Sequence, residues 1–453
     1  MGFTKEQLEA INQEGKNIIV SAGAGSGKTA VLTERVIRKL KQGVDVSSLL
    51  VLTFTNEAAN EMKNRIRDAI IKNDLHDQLS LLDSSYITTF DSFAFFIVKK
   101  YHYLLNISNN VSIVDSNIIS IYKKRIIDEI FENMYGDAAF NKLVDDFCLK
   151  DDKPLKKYIV DLSSKLDLLI DKELYLGNYI NDFYDDKKIE LFFVEYEKLI
   201  RNKIEELRRL TERIQSYISG DMSIKLDNWL KPLLSGTCYN EYVLFNSMDN
   251  IRFSSMEDDG KKIKELIKEK AIEIKKLLRF KDKNEVIELV MATKGNASIL
   301  IDIIKKLDFS VLEYKKKYDI YEFNDIAHMA IQVVRDNIDI RNEIRDSFNE
   351  IMLDEYQDTS GIQEEFINLI SNNNVYMVGD VKQSIYRFRN ANPYIFQNKY
   401  NEYSKLNGGI KIDLLKNFRS RSETLFNINE IFNLIMDDEI GNADYIVSHN
   451  MVY

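Results

Sequence analysis

Cysteine and proline are almost missing from this chain, with two Cys and three Pro in 453 residues. Cys148 and Cys238 have neither further cysteines nor histidines beside them, which excludes a disulfide framework and a zinc site and leaves two ordinary thiols. No run of about eighteen apolar residues occurs, so no transmembrane helix is expected. Lys5, Glu6 and Glu9 stand where a signal peptide needs an apolar core, and a cytoplasmic location follows as the expectation. An excess of positive charge is also lacking: the net charge is −10, which argues against a uniformly basic coat for nucleic acid but leaves a local basic groove open. Internal repeats, low-complexity tracts and long linkers are absent from the pattern. The abundance of Asn, Ile, Lys and Tyr reads as a bias of the coding DNA and indicates no function.

What is present is a phosphate-binding loop. Ala22, Gly23, Ala24, Gly25, Ser26, Gly27, Lys28 and Thr29 follow the apolar run Asn17–Ser21 and precede a segment of helical spacing that reaches Leu40. Strand, loop and helix in that order are the setting the chemistry needs. The glycines let successive N–H groups turn inward toward phosphate oxygens, and the helix N-terminus adds partial positive charge. Lys28 is expected to reach the β- and γ-phosphates of a nucleoside triphosphate, and the Thr29 hydroxyl to ligate Mg²⁺. A Gly-rich turn that only joins strand to helix would explain the glycines but not Lys-Thr at the helix start.

Pattern divides the chain further, and its length suggests two or three domains. Residues 1–104 alternate β-rich runs (Asn17–Ser21, Leu49–Thr55, Tyr86–Thr89) with helical segments, as a parallel α/β sheet does. Residues 105–320 turn to long amphipathic stretches such as Ile118–Met134 and Lys261–Leu278, read as a helical insertion whose charges are solvated faces. The β pattern returns at Glu350–Asp354, Asn374–Gly379 and Gly409–Leu414, so the first sheet is expected to resume after the insertion.

Hydrolysis needs an acid on the metal and a group beside it that orients water. Asp354 and Glu355, closing the run Glu350–Leu353, supply both: Asp354 to hold Mg²⁺ and Glu355 to polarise the attacking water. Polar pairs at strand ends are common, and it is the phosphate loop that raises this one to a catalytic candidate. Gln383, after the run that ends at Gly379 and Asp380, stands where an amide could sense the γ-phosphate. Tyr386, Arg387, Phe388 and Arg389 interleave aromatic and basic groups, which suits either a stacking platform for single-stranded nucleic acid or two core aromatics with solvated arginines.

The loop Ala22–Thr29, the run Leu52–Met62, the segment Leu353–Asp358, Val378–Arg389 and Asn417–Ser420 resemble, in order and content, the motifs of superfamily 1 helicases of the UvrD/Rep type. Within that family the chain is most similar to the N-terminal part of AddA-type helicase-nucleases, with echoes at Tyr321–Ile326, Gly379–Arg389 and Asn417–Tyr445. The resemblance implies that Gln7 reads the adenine edge, that Arg35 and Phe418 sandwich the base, and that Arg419 approaches the γ-phosphate from a second motor domain. It implies that Thr53, Phe54, Thr55 and Asn56, together with Thr89 and Phe90, meet single-stranded DNA, with aromatics near Tyr386 stacking on bases. The family commonly has His where this chain has Asp91, whose charge would repel a phosphate backbone.

The fold class expected is therefore α/β: a RecA-like motor domain (1–104 and 321–405) with a parallel sheet, a large all-helical insertion (105–320), and the start of a second RecA-like domain (406–453), cut short at Tyr453. The activity implied is ATP-driven 3′ to 5′ translocation and unwinding of DNA within a helicase-nuclease for double-strand break repair and recombination. A partner of the AddB type is implied as well, with the nuclease domain expected outside this chain. Two alternatives remain at this stage: a stand-alone repair or defence helicase, and an inactive fragment that binds ATP or DNA.

Overall fold

The computed structural model describes residues 2–253, 257–437, 445–446 and 450–453. Eight strands occur among them: β1 (Asn17–Ala22), β2 (Leu49–Thr53), β3 (Tyr86–Thr89), β4 (Ser112–Ile113), β5 (Ile320–Tyr321), β6 (Glu350–Leu353), β7 (Val375–Gly379) and β8 (Gly409–Leu414). Six form one sheet in the order β3-β2-β6-β7-β1-β8, and every pairing within it is parallel. The expected α/β fold with a resumed sheet is what the chain adopts.

Parallel strands must be covered on both faces, and period-two alternation divides their side chains between two cores. Ile19, Leu50, Leu52, Ile351, Leu353, Val375 and Met377 belong to one. Ile18, Val20, Leu49, Val51, Met352, Tyr376 and Val378 belong to the other. The helices Phe90–Lys100, Phe323–Asp336 and Gly361–Ile370 cover the first face, while α1 (Lys5–Asn12), α2 (Lys28–Lys41) and α3 (Asn56–Lys72) cover the second.

The chain divides into two compact units. One comprises Met1–Ile126, Val160–Ile170 and Asp308–Tyr453 and carries the sheet; the other comprises Ile127–Ile159 and Asp171–Leu307. Residues 105–126, 160–170 and 308–320, expected in the insertion, thus group with the sheet. The reason is local: Ser112 and Ile113 pair with Ile320 and Tyr321, Lys123 Nζ lies 2.7 Å from Asp167, and Ser163 Oγ donates to Asp308 at 3.0 Å. The described residues of the second unit form helices joined by loops, with no strand among them. Its core joins Ile200, Leu207 and Ile214 of the helix Asp186–Ile214 to Ile267 and Ile274 of the helix Asp258–Leu277, around Trp229 and Phe245. Among the described residues no helix is long and apolar enough to cross a membrane.

β8 requires a further correction. It pairs with β1 from Asn17↔Gly409 to Ala22↔Leu414, so residues 406–414, expected to open a second motor domain, complete the first sheet instead. In the rest of that expected domain, and of the echo Asn417–Tyr445, residues 438–444 and 447–449 lie outside the described residues. Because all six strands run the same way, the segments that follow their carboxyl ends converge on one edge of the sheet.

Candidate nucleotide site and its aromatic flank

The segment after β1 is the phosphate loop. Gly25 and Gly27 adopt φ of 73° and 87°, a left-handed backbone that glycine tolerates best. At Gly25 a side chain is also excluded by space, since a Cβ would come within 2.8 Å of Arg419 Cβ and 2.9 Å of Asn417 Oδ1. Gly27 caps α2, so Lys28 and Thr29 occupy its first turn, where the orphan N–H groups and the dipole favour an anion. Ser26 Oγ is buried with no hydrogen-bond partner among the described residues. An orphaned hydroxyl, a cradle that a Cβ would fill and a lysine at a helix start all fit a triphosphate.

The segment after β6 faces this loop. The Asp354 N–H donates to Leu52 O at 3.0 Å, and Asp354 Oδ1 accepts from the Glu355 N–H at 3.1 Å. Glu355 has φ 52° and ψ 46°, an uncommon conformation for a residue with a side chain that is found preferentially at functional sites. The turn leaves the Glu355 carboxylate 2.8 Å from Lys28 Nζ. Burial pushes the Asp354 carboxyl up to about 6, the neighbouring Glu355 charge adds to this, and Lys28 opposes it. Asp358 is likewise pushed up to about 6, by burial first and then by Glu355. The hard oxygen donors Asp354 and Thr29 suit Mg²⁺ beside a triphosphate. No group of three or more His, Cys, Asp or Glu among the described residues could hold a metal without such help.

Gln383 lies after β7, where its Nε2 donates to Asp380 Oδ2 at 2.8 Å. Asp380 is fully buried and is also paired with Lys382 Nζ at 2.8 Å. After β8, Asn417 donates through Nδ2 to Ala24 O at 2.7 Å and accepts from the Arg419 and Ser420 N–H groups at 2.8 Å each. The Phe418 N–H donates to Gly25 O at 2.9 Å. Arg419, exposed, is therefore tied through its backbone to the phosphate loop. In the sequence, the one signal that Asn417 carries is its place directly before Phe418 and Arg419.

Gln7 and Phe418 share a small cleft of about 190 Å³ with Thr4, Ser26 and Lys416. Gln7 completes a capping box with Thr4 and donates through Nε2 to Ser26 O at 2.9 Å, so α1 is latched to the phosphate loop. Arg35 is not in this cleft. It is fully buried, its Nε and Nη2 bond both oxygens of Glu350 at 2.9 and 2.5 Å, and its Nη1 donates to Ala10 O and Ile11 O. Its guanidinium also lies 4.2 Å from the centroid of the Tyr376 ring. The expectation that Arg35 sandwiches a base is thus overturned: one helical turn after Val31, it faces the sheet, where it neutralises the buried Glu350.

The expected DNA-contacting residues divide. Phe54 and Tyr386 meet at a tilt of 37° with centroids 4.5 Å apart, Phe388 follows at 5.8 Å from Tyr386, and the Arg389 guanidinium lies within 6 Å of all three rings. Phe388 is 79% exposed, which excludes the core alternative for that ring. Asn56, also exposed, opens α3. Phe90, by contrast, is buried and packs perpendicular to Phe366 in the core, which leaves little of its ring for a base. Thr55 and Thr89 cap helices, and the buried Thr53 hydroxyl donates to Thr55 O. A cleft of about 410 Å³ is lined by Thr53, Phe54, Asp91, Phe388 and Arg389 and also by Asp354 and Glu355. Burial raises the Asp91 pKa while Arg389 opposes the rise.

The family model of the UvrD/REP helicase N-terminal domain matches residues 3–404. The chain belongs to the UvrD/REP helicase family. Family membership implies use of ATP and Mg²⁺ in general, in keeping with the loop and acidic pair just described. This UvrD/REP-family chain is 33% identical to the A-type chain of the ATP-dependent helicase/nuclease of Clostridium beijerinckii, over 98% of its own length and 40% of that protein's. It is 35% identical to the counterpart in Clostridioides difficile (98% and 39%) and 34% identical to that of a Thermoanaerobacter species (100% and 41%). The chain thus spans about 40% of the length of the curated relatives it matches.

Proposed function

We propose that this chain is the ATP-driven motor part of an AddA-type helicase-nuclease, moving 3′ to 5′ along single-stranded DNA and unwinding duplex in double-strand break repair. The observation that carries this reading is one cleft lined both by Asp354 and Glu355 and by Phe54, Phe388 and Arg389. Hydrolytic acids and a cationic aromatic platform are adjacent, as coupling of ATP turnover to strand movement requires.

Lys28 and the loop N–H groups bind the triphosphate, and Thr29 with Asp354 would hold Mg²⁺, which supplies charge neutralisation at the phosphates. Glu355 accepts a proton from water held beside it. Gln383 and Arg419 answer to the γ-phosphate, the first through Asp380 and the second through the Asn417 contact with the loop. Phe418 stacks on the base and Gln7 supplies an amide at its edge. Phe54, Tyr386 and Phe388 offer ring faces to successive bases, and Arg389 adds charge for the backbone. A partner of the AddB type and a cytoplasmic location complete the proposal, by likeness to the relatives.

The test is steady-state ATP hydrolysis with and without single-stranded DNA, beside Lys28→Ala and Glu355→Gln. Turnover that DNA stimulates and both substitutions abolish is the expected result. Turnover unaffected by either would overturn the assignment of the site. Displacement assays on duplexes with 3′ or 5′ tails check polarity, and preference for a 5′ tail would reverse it.

A further inference from the structure

Gln357 lies between the acidic pair and the segment after β7, and it is 1% exposed. Its Nε2 donates to Glu355 Oε2 at 2.8 Å and to Asp358 Oδ2 at 3.2 Å. Its Oε1 accepts the Asp380 N–H at 2.9 Å, and its backbone carbonyl accepts from Ser384 Oγ at 3.2 Å. The amide orientation is fixed by chemistry, because a backbone N–H only donates and carboxylates only accept. Gly379 is shaped around the same group: a Cβ there would stand 2.5 Å from Gln357 Oε1.

We propose that Gln357 is a positioning residue that couples the Glu355 carboxylate to the loop 380–389, and so passes the state of the nucleotide site to the aromatic platform. The inference rests on the motor reading above. Lys28 and Gln357 Nε2 share a single oxygen, Glu355 Oε2. When a phosphate draws Lys28 away, that oxygen is left to Gln357, whose other end holds the N–H of Asp380. Asp380 in turn anchors Gln383 and Lys382. The path from Lys28 to Gln383 is therefore continuous in hydrogen bonds, and between its two ends it contains one neutral side chain, the Gln357 amide.

The experiment is hydrogen exchange on the whole chain with and without Mg²⁺ and β,γ-imido ATP, for wild type, Gln357→Leu and Gly379→Ala. Gln357→Leu removes donor and acceptor together, while Gly379→Ala retains every polar group but pushes the amide off its partners. The expected result is that wild type gains protection at 23–29 and at 380–389. Both variants keep the first, with nucleotide affinity within a few-fold of wild type, and lose about tenfold or more of the second. Should Gln357→Leu fail to fold, judged by its melting transition, Gln357→Asn replaces it, since its shorter amide cannot span both partners. Protection at 380–389 that persists in the folded variants would overturn the coupling. So would protection confined to 23–29 in wild type. Failure of wild type to bind the nucleotide at all would instead defeat the motor reading itself, so the two failures are distinguishable.

Discussion

Lys28 Nζ lies 2.8 Å from Glu355 Oε2, so the cation expected to grip the phosphates holds the carboxylate expected to activate water. The two residues are 327 positions apart, and the parallel sheet brings them together at the ends of β1 and β6. A γ-phosphate competes with Glu355 for Lys28, which would link substrate arrival to release of the base.

For Glu355→Gln this gives retained ATP binding with turnover reduced by about 10²- to 10⁴-fold, the usual contribution of a positioned base. Lys28→Ala loses binding as well as turnover. Equilibrium titration with a fluorescent ATP analogue, beside a turnover assay, separates the two.

Arg35 acts in stability. Its pair with Glu350 is almost fully buried, and loss of the guanidinium leaves that carboxylate to Lys39 Nζ at 3.8 Å, so Arg35→Ala is expected to cost about 3 kcal/mol in urea denaturation, the lower end for a broken buried pair. Arg35→Met with Glu350→Leu should recover most of it. A fall in nucleotide affinity without a fall in stability would restore Arg35 to the base site.

Phe418 is 47% exposed and lines the small cleft with Gln7. Base–aromatic stacking is worth about 1–3 kcal/mol, so Phe418→Ala should weaken ATP binding by that amount and leave inorganic triphosphate binding unchanged. Calorimetry with the two ligands checks it; equal losses for both would place Phe418 outside the base site.

Arg389 and Phe388 should separate by salt. Arg389→Ala is expected to weaken single-stranded DNA binding and make its dependence on log[salt] shallower by about 0.7, one phosphate contact on a single strand. Phe388→Ala should weaken binding by about 1–3 kcal/mol at every salt concentration. Fluorescence anisotropy across a salt series reads both.

Local chemistry makes much of this molecule legible in its sequence alone. Glycines with positive φ before Lys28, apolar runs for strands buried on both faces, and an acidic pair closing one of them are consequences of short-range sequence. The parallel fold then forces the segments after those strands to one edge, so a list of strand ends was already most of a list of site residues.

Partnership between distant groups was not legible. Arg35 on α2 reads from sequence as an available cation, and only the approach of Glu350, 315 positions away, turns it into a buried pin. Phe90 reads as an aromatic at a strand end, yet the ring packs on Phe366. Gln357 and Asn417 stand inside segments that carry the family resemblance, but their roles are not legible there, because an amide is informative only when both its ends are matched, and Asp380 and Ala24, which match one end of each, lie elsewhere along the chain. Periodicity encodes which face a side chain takes. Which charge or carbonyl waits on that face depends on strand order, and strand order is set by long-range packing of the sheet.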